Sequence, residues 1–373
     1  MGRKSQVPKS FFDLTPAIER EFCELIRETA VIKTDGEEVP TPVVWDMTKA
    51  LYTDDVPWTI RRIPKRRGFR TIHAPKDPLM AISRGILHHI LRRIPVHKVV
   101  HGCEPRTSMI TNARVHAGVS QALYNVDLKD AFPSTTRDRL VGNLGPKIKR
   151  VLVESTDLEP DEADILVAVL LDLMLVDDRL PQGFPTSPGV LNIVMMPVDK
   201  VLSKYMKLLR AETGAQWHYT RYVDDLTFST DLDRIPKEVR SQIRKIIRKQ
   251  GWKINSSKLA YCGNVDETGD PELSTKAPVV TGMIINDDGR LTVAPRKLKR
   301  WRARMNEWLA QDELTDEQRK QLNGMVNFLS MVYDGDLPSA VRQVYLRCKE
   351  KFNIRDAQTR RDRFPESGYG SGE

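Results

Sequence analysis

A chain of 373 residues can bury a large core and divide into two or three subdomains around one cleft, and its formal net charge of +9 favours a polyanionic partner. Cys23, Cys103, Cys262 and Cys348 form no CxxC pair, which argues against a zinc module or a disulfide framework and fits a reducing cytoplasm. Met1 to Pro8 lacks an apolar signal core, and no run of roughly 18 uninterrupted apolar residues occurs, so neither export nor membrane insertion is expected.

Residues 1–50 show helical character from Pro16 to Ala30 and a proline-rich connection through Pro40 and Pro42, an N-terminal extension that offers no chemistry. Residues 51–120 begin with two β-prone runs, Trp58 to Pro75, joined by a basic turn at Gly68. Lys65 and Arg70 there could meet a triphosphate or template phosphates, although such a turn is by itself more often a solvated loop. Ile82, Ile86, Ile90 and Ile94 space a helix over Ala81 to Ile94, on which His88 and His89 are packing or surface residues. Thr111 to His116 follows, with Asn112 and His116 at a spacing that suits either a helix surface or a buried hydrogen-bonded pair.

Residues 121–290 hold most of the chemistry. Ala122 to Asp127 is an apolar run ending in an acid, a core strand that delivers Asp127 at its end, with Leu128 beside it and Phe132 five positions on. A helix over Asp161 to Val176 leads into Leu180-Pro181-Gln182-Gly183-Phe184, and Ser187-Pro188 starts a helix carrying Asn192. Tyr219 to Ser229 alternates aromatic and polar residues as a strand, a tight turn and a returning strand, placing Asp224 and Asp225 at the tip. Pro236 to Gln250 is a basic amphipathic helix, Trp252 to Lys258 ends in a lysine, and Val279 to Asn286 is a strand whose Gly282 permits close approach of a backbone.

From Arg290 to Arg304 there are seven Lys or Arg residues and no acid. Leu298, Trp301, Met305 and Leu309 form an apolar seam that turns the basic side chains outward, the first of three helices spanning 291–353. Residues 354–373 form a polar, flexible tail.

An Asp-Asp pair alone means little, since Asp54-Asp55, Asp177-Asp178 and Asp287-Asp288 carry the same pattern on what are ordinarily solvated turns. A third acid changes that. Asp127 brought beside Asp224 and Asp225 makes a cage able to hold two Mg²⁺ about 4 Å apart, as in two-metal nucleotidyl transfer.

Asp127 on its strand, the Pro-Gln-Gly segment and the Tyr-Val-Asp-Asp hairpin occur in the order of the palm motifs of reverse transcriptases, and the resemblance extends from about Trp58 to Val293. Asn112-Ala113-x-x-His116 and Val280-Thr281-Gly282 resemble signatures of the retron-type enzymes. The resemblance implies an α+β right-hand polymerase fold of fingers (51–120), palm (121–290, with finger insertions) and helical thumb (291–353), the palm an antiparallel sheet backed by helices. It implies a metal set of Asp127, Leu128, Asp224 and Asp225, with Lys258 as an electrostatic helper or proton donor. Lys65, Arg70, Phe132, Gln182 and Gly183 would then bind the nucleotide, Phe132 as a steric gate against a 2′-hydroxyl, with Phe184 bulkier than the small residue usual there. Arg296, Lys297, Lys299, Arg300 and Arg304, with Asn112 and His116, would serve RNA.

The same resemblance implies RNA-directed DNA synthesis on a cognate structured non-coding RNA, primed from a guanosine 2′-hydroxyl and yielding multicopy single-stranded DNA joined to RNA. Its implied partners are that RNA and its DNA product, dNTPs, an effector protein of the same operon acting in antiphage defence, and host RNase H to remove RNA. Two rival readings are a defence or abortive-infection polymerase with another priming or template-independent route, and a non-catalytic RNA scaffold.

Overall fold

The computed structural model describes residues 8–34, 37–54, 56–65, 68–118, 120–264, 274–275, 278–335 and 337–354; the tail expectation for 354–373 falls outside them save its first residue. The chain divides into two compact units, one of residues 1–108 and 121–275 and one of residues 109–120 and 276–373. The segment 109–120, grouped by its sequence position with 51–108, is thus part of the C-terminal unit.

The first unit opens with α1 (Pro16–Ile26), whose start is set by Thr15 accepting from the Ile18 amide and by Pro16 in the first turn. Its Ile18, Phe22, Cys23 and Ile26 are buried at helical spacing. A short hairpin, β1 (Ile32–Thr34) with β2 (Glu37–Val39), leads to α2 (Thr41–Asp54). Next come the basic hairpin β3 (Trp58–Pro64) and β4 (Phe69–Pro75), paired antiparallel from Trp58↔Pro75 to Pro64↔Phe69, and α3 (Asp77–His89). The helix expected over 81–94 starts four residues earlier and gives way to a 3₁₀ turn at Leu91–Arg93.

α4 (Met109–Arg114) belongs to the second unit; the chain returns to the first with β5 (Ala122–Asp127), then α5 (Arg137–Asn143), α6 (Gly145–Ser155) and α7 (Pro160–Met174). A capping box of Glu159 and Glu162 starts α7. α8 (Ser187–Val194) and α9 (Met196–Thr213) follow, the latter stopped by Gly214 at φ 68°. β6 (Trp217–Tyr222), β7 (Asp225–Thr230), α10 (Lys237–Lys249), β8 (Ala260–Cys262) and β9 (Ser274–Thr275) complete the unit.

Its sheet has the order β6-β7-β5-β8-β9, antiparallel except for the β8–β9 pair. β5 is buried along nearly its whole length, as a central strand must be, with Tyr124 and Val126 in the core and Tyr219 stacked on Phe228 at 4.8 Å on the neighbouring strands. Packing of this kind makes the strand ends, where the acids lie, a rigid platform.

In the second unit β10 (Val279–Val280), β11 (Met283–Ile285) and β12 (Leu291–Val293) form a small antiparallel sheet, followed by α11 (Pro295–Leu309), α12 (Asp316–Val332) and α13 (Ser339–Lys351). The stretch expected as one strand over Val279 to Asn286 is a hairpin instead. It reverses at Thr281 and Gly282, both at positive φ (46° and 82°), the geometry of a two-residue turn. Gly282 is required there by its backbone angle, since a Cβ at that position would meet nothing within 4 Å.

Three helices follow Arg290, as expected, but the seam on α11 is rotated. Met305 and Trp308 are buried, while Leu298 and Leu309 are only half-buried.

Candidate active site

β5 and β7 pair so that Asp127 stands opposite Asp225, and the Leu128 amide donates to the Asp224 carbonyl at 3.1 Å, which ties the end of β5 to the turn between β6 and β7. That turn is Val223-Asp224, closed by the Tyr222↔Asp225 pair, so one acid sits on the turn and the other opens the returning strand. The three acids drawn from two distant segments therefore meet at one end of the central strands of the sheet. Beside them, residues 253–255 run antiparallel to the end of β5, with Leu128 bridging Ile254 and the Asn255 amide donating to the Asp127 carbonyl at 2.9 Å.

This flank supplies two contacts to the Asp127 carboxylate. Lys258 Nζ lies 2.6 Å from Oδ1, and Asn255 Nδ2 donates to Oδ2 at 3.1 Å. Lys258 stays largely exposed, so one of its faces remains open. Asn255 is not singled out by its sequence position; an amide three residues before a lysine is a common pattern, and only the pairing of 253–255 with β5 gives it meaning.

Burial, with the neighbouring charge of Asp127, pushes the Asp224 carboxyl above its ordinary range. Asp225 is pushed up to about 7 by burial first, then by the charges of Asp224 and Asp127 and a hydrogen bond shared with Asp127. Burial works against the Lys258 ammonium, but its hydrogen bond with Asp127 and the three nearby carboxylates outweigh it and raise its pKa. One ammonium does not balance three acids, and the remaining negative potential is what a divalent cation would neutralise. Among the described residues, no three acid, histidine or cysteine side chains stand as a finished metal cage, and the Asp127 carboxylate is engaged by Lys258 and Asn255. The donor set suits Mg²⁺ chemically, being all carboxylate oxygen. Leu128 is 2% exposed with an apolar side chain, so only its backbone could serve a metal.

The other expected nucleotide contacts lie in the same unit. Arg70 and Lys65 are exposed on the β3–β4 hairpin, and the positive charge of Arg70 reaches Asp224. Phe132 is half-buried, packed by one side against the core. Gln182 is half-buried, and its carbonyl accepts from the His73 amide of β4 at 2.8 Å. Gly183, at φ 118°, lies so close to β4 that a Cβ would stand 2.4 Å from the His73 carbonyl oxygen. Its first service is thus to let the hairpin dock on the 180–184 segment. Phe184 does not narrow a nucleotide pocket: it is 2% exposed and packs against Trp58, 6.2 Å between ring centres.

In the second unit Arg296, Lys299, Arg300 and Arg304 are exposed, and among the described residues none of them is ion-paired. Lys297 differs. Its ammonium lies over Trp301 (4.8 Å) and Phe328 (4.5 Å), so it cements the helices and is only partly available to a phosphate. Asn112 and His116 are 0% exposed, so neither is placed to touch RNA at the surface. They belong to the interior of α4 and the turn after it, where Thr281 donates to the Met109 carbonyl at 2.7 Å and Gly289 packs on Gly118. The two signatures far apart in sequence thus serve one packed corner.

The family model for reverse transcriptase (RNA-dependent DNA polymerase) matches residues 63–269. Curated relatives include the retron Mx162 reverse transcriptase of Myxococcus xanthus, 34% identical over 75% of this chain and 58% of its own length. The retron Mx65 reverse transcriptase of the same organism is 31% identical over 72% of this chain and 60% of its own, and the retron Ec86 reverse transcriptase of Escherichia coli 28% over 69% and 71%. The chain thus spans less than two thirds of the first two relatives. With the α+β architecture of a right-hand polymerase and its three acids at one end of the central strands, the chain belongs to the reverse transcriptase family and is of the retron type.

Proposed function

We propose that the protein is the RNA-directed DNA polymerase of a retron, copying a cognate structured non-coding RNA into multicopy single-stranded DNA primed from a guanosine 2′-hydroxyl. The observation that carries this reading is the meeting of Asp127, Asp224 and Asp225 beside Lys258. In it, residues 51–120 act as fingers, 121–290 contribute the palm and 291–353 the thumb, with 109–120 and 276–290 in the same compact unit as the thumb helices. Asp127, Asp224, Asp225 and the Leu128 backbone would hold two Mg²⁺, which supply charge neutralisation at the phosphates and acidify the attacking hydroxyl. Arg70 and Lys65 orient the triphosphate, Gln182 lies under the template or base, and Lys258 is placed to give a proton to the departing pyrophosphate. An operon-encoded effector, a role in antiphage defence and help from host RNase H are further parts of this proposal.

Sequencing the RNA and DNA that copurify with the protein, together with Mg²⁺-dependent dNTP incorporation on that RNA, tests the proposal. DNA complementary to the bound RNA and joined to it through a 2′-linked guanosine supports it; DNA unrelated to any bound RNA sinks it in favour of a template-independent polymerase.

Two side-chain roles have separate expectations. Phe132→Ala is expected to raise ribonucleotide incorporation relative to dNTP by about 10-fold or more, as removal of a steric barrier at the sugar should. Equal discrimination in variant and parent would remove the gate. Replacing Arg296, Lys299, Arg300 and Arg304 by Gln should weaken RNA binding and flatten its dependence on log salt by roughly 0.7–0.9 for each phosphate that is no longer neutralised. An unchanged salt slope in a filter-binding titration would place the RNA elsewhere.

A further inference from the structure

The turn that presents Asp224 is built on a conformation its sequence does not favour. Val223, its first residue, has φ 58°, a left-handed angle at which glycine is the usual occupant and a β-branched side chain is strained. Something must hold it.

Arg221 lies two residues before and is 0% exposed. Its Nη1 donates to the Val223 carbonyl at 2.8 Å and to Asn192 Oδ1 at 2.9 Å. Nε and Nη2 grip the two oxygens of Asp199 at 2.9 and 2.7 Å, and the Tyr219 hydroxyl donates to the same carboxylate at 2.7 Å. Asn192 is fixed in turn, its Nδ2 donating to the Gly102 carbonyl at 2.8 Å and to Glu104 at 2.7 Å. The segment below is laid along β6, with the Arg221 amide bonded to Val99 O and the His101 amide to Arg221 O, both at 2.8 Å. There Gly102 comes so close that a Cβ would stand 2.5 Å from the Val223 nitrogen.

A buried ion pair of this kind is poor evidence of stability, since apolar residues of equal volume often do as well. What it supplies is direction: a planar fork bound on every side can fix where one carbonyl points. We propose that Arg221 is a positioning residue for nucleotidyl transfer, holding the strained Val223 peptide, and through it the Asp224 carboxylate, in the orientation needed to bind metal, with Asp199 and Asn192 seating its guanidinium and Gly102 giving the turn its floor. The inference rests on the polymerase reading for its link to catalysis. Lysine cannot replace this arginine, because a single ammonium cannot reach the carboxylate, Asn192 and the Val223 carbonyl as a fork does.

The test uses the full chain with its RNA. Arg221→Gln is expected to lower kcat by about 100-fold while KM for dNTP moves by less than about threefold, the signature of a displaced catalytic group rather than weakened substrate binding. Mn²⁺ affinity, read by electron paramagnetic resonance without turnover, should weaken by about tenfold. Arg221→Lys should recover only part of either. Adding Val223→Gly to the Arg221→Gln variant should restore kcat by about tenfold, because glycine takes the left-handed angle without the clamp. Unchanged Mn²⁺ affinity, or no gain from the glycine, would reduce Arg221 to a core residue. Should Arg221→Gln fail to fold, Gly102→Ala keeps the ion pair and disturbs Val223 from below; it should show the same fall in kcat and in Mn²⁺ affinity, and parent values for both would overturn the proposal. A parent that incorporated no dNTP would sink the polymerase reading alone, since the Mn²⁺ measurements would still decide the role of Arg221.

Discussion

Asn at both 224 and 225 is expected to lower dNTP incorporation by at least about 1,000-fold while RNA binding stays near that of the parent. The substitutions preserve shape and remove two negative charges from a site where burial and mutual repulsion already raise both carboxyls. That gives the experiment a second, signed readout. An acid whose folded pKa is raised destabilises the fold above that pKa, and the penalty vanishes as pH falls below its unfolded value. In EDTA, the double variant should therefore melt higher than the parent at pH 8, and the gain should fade as pH is lowered through about 7 toward 4. Primer extension and thermal melting on the same samples measure both. Incorporation within tenfold of the parent would end the metal assignment, and a lower melting temperature at pH 8 would show that the acids support the fold instead of straining it.

The second large effect is expected at Gly183. Alanine there must leave φ 118° or push its Cβ into the His73 carbonyl, 2.4 Å away on β4, and the same strand donates its His73 amide to Gln182. Neither backbone can yield alone. The predicted loss is about 2–4 kcal/mol, seen as a fall of roughly 3–7 °C in Tm. Because β4 also carries Arg70, KM for dNTP should rise as well, and alanine tolerated with both Tm and KM unchanged would mean that the hairpin does not depend on this approach for its place.

The three acids were legible because each closes or opens a short apolar run, and their order along the chain carried a family pattern. Pairing was not legible: nothing in Trp252 to Lys258 announces that it runs beside β5, so Asn255 escaped notice while Lys258 did not. Arg221 escaped for the opposite reason. A charged residue in an alternating strand is ordinarily assigned to the solvent face, and here it shares the buried face of β6 with Tyr219. Asn112 and His116 are instructive as well, since spacing alone left a buried pair and a surface pair equally open, and the structure buries both. On α11 the expected seam missed Trp308, because Lys297, clasped by two aromatic rings, takes up part of the apolar face that aliphatic residues alone were expected to form.

The place of β5 in the middle of its sheet has a consequence for biosynthesis. Asn125 meets Thr227 across 102 positions, and Asp127 meets Lys258 across 131, so the strand leaves the ribosome with both edges bare. At translation rates of roughly 5–20 residues per second, its partners arrive on the order of ten seconds later. During that interval an apolar strand waits for neighbours that only a long loop closure can bring, which makes nascent chains of this protein candidates for chaperone capture and leaves any product truncated before Lys258 without the ammonium that engages Asp127.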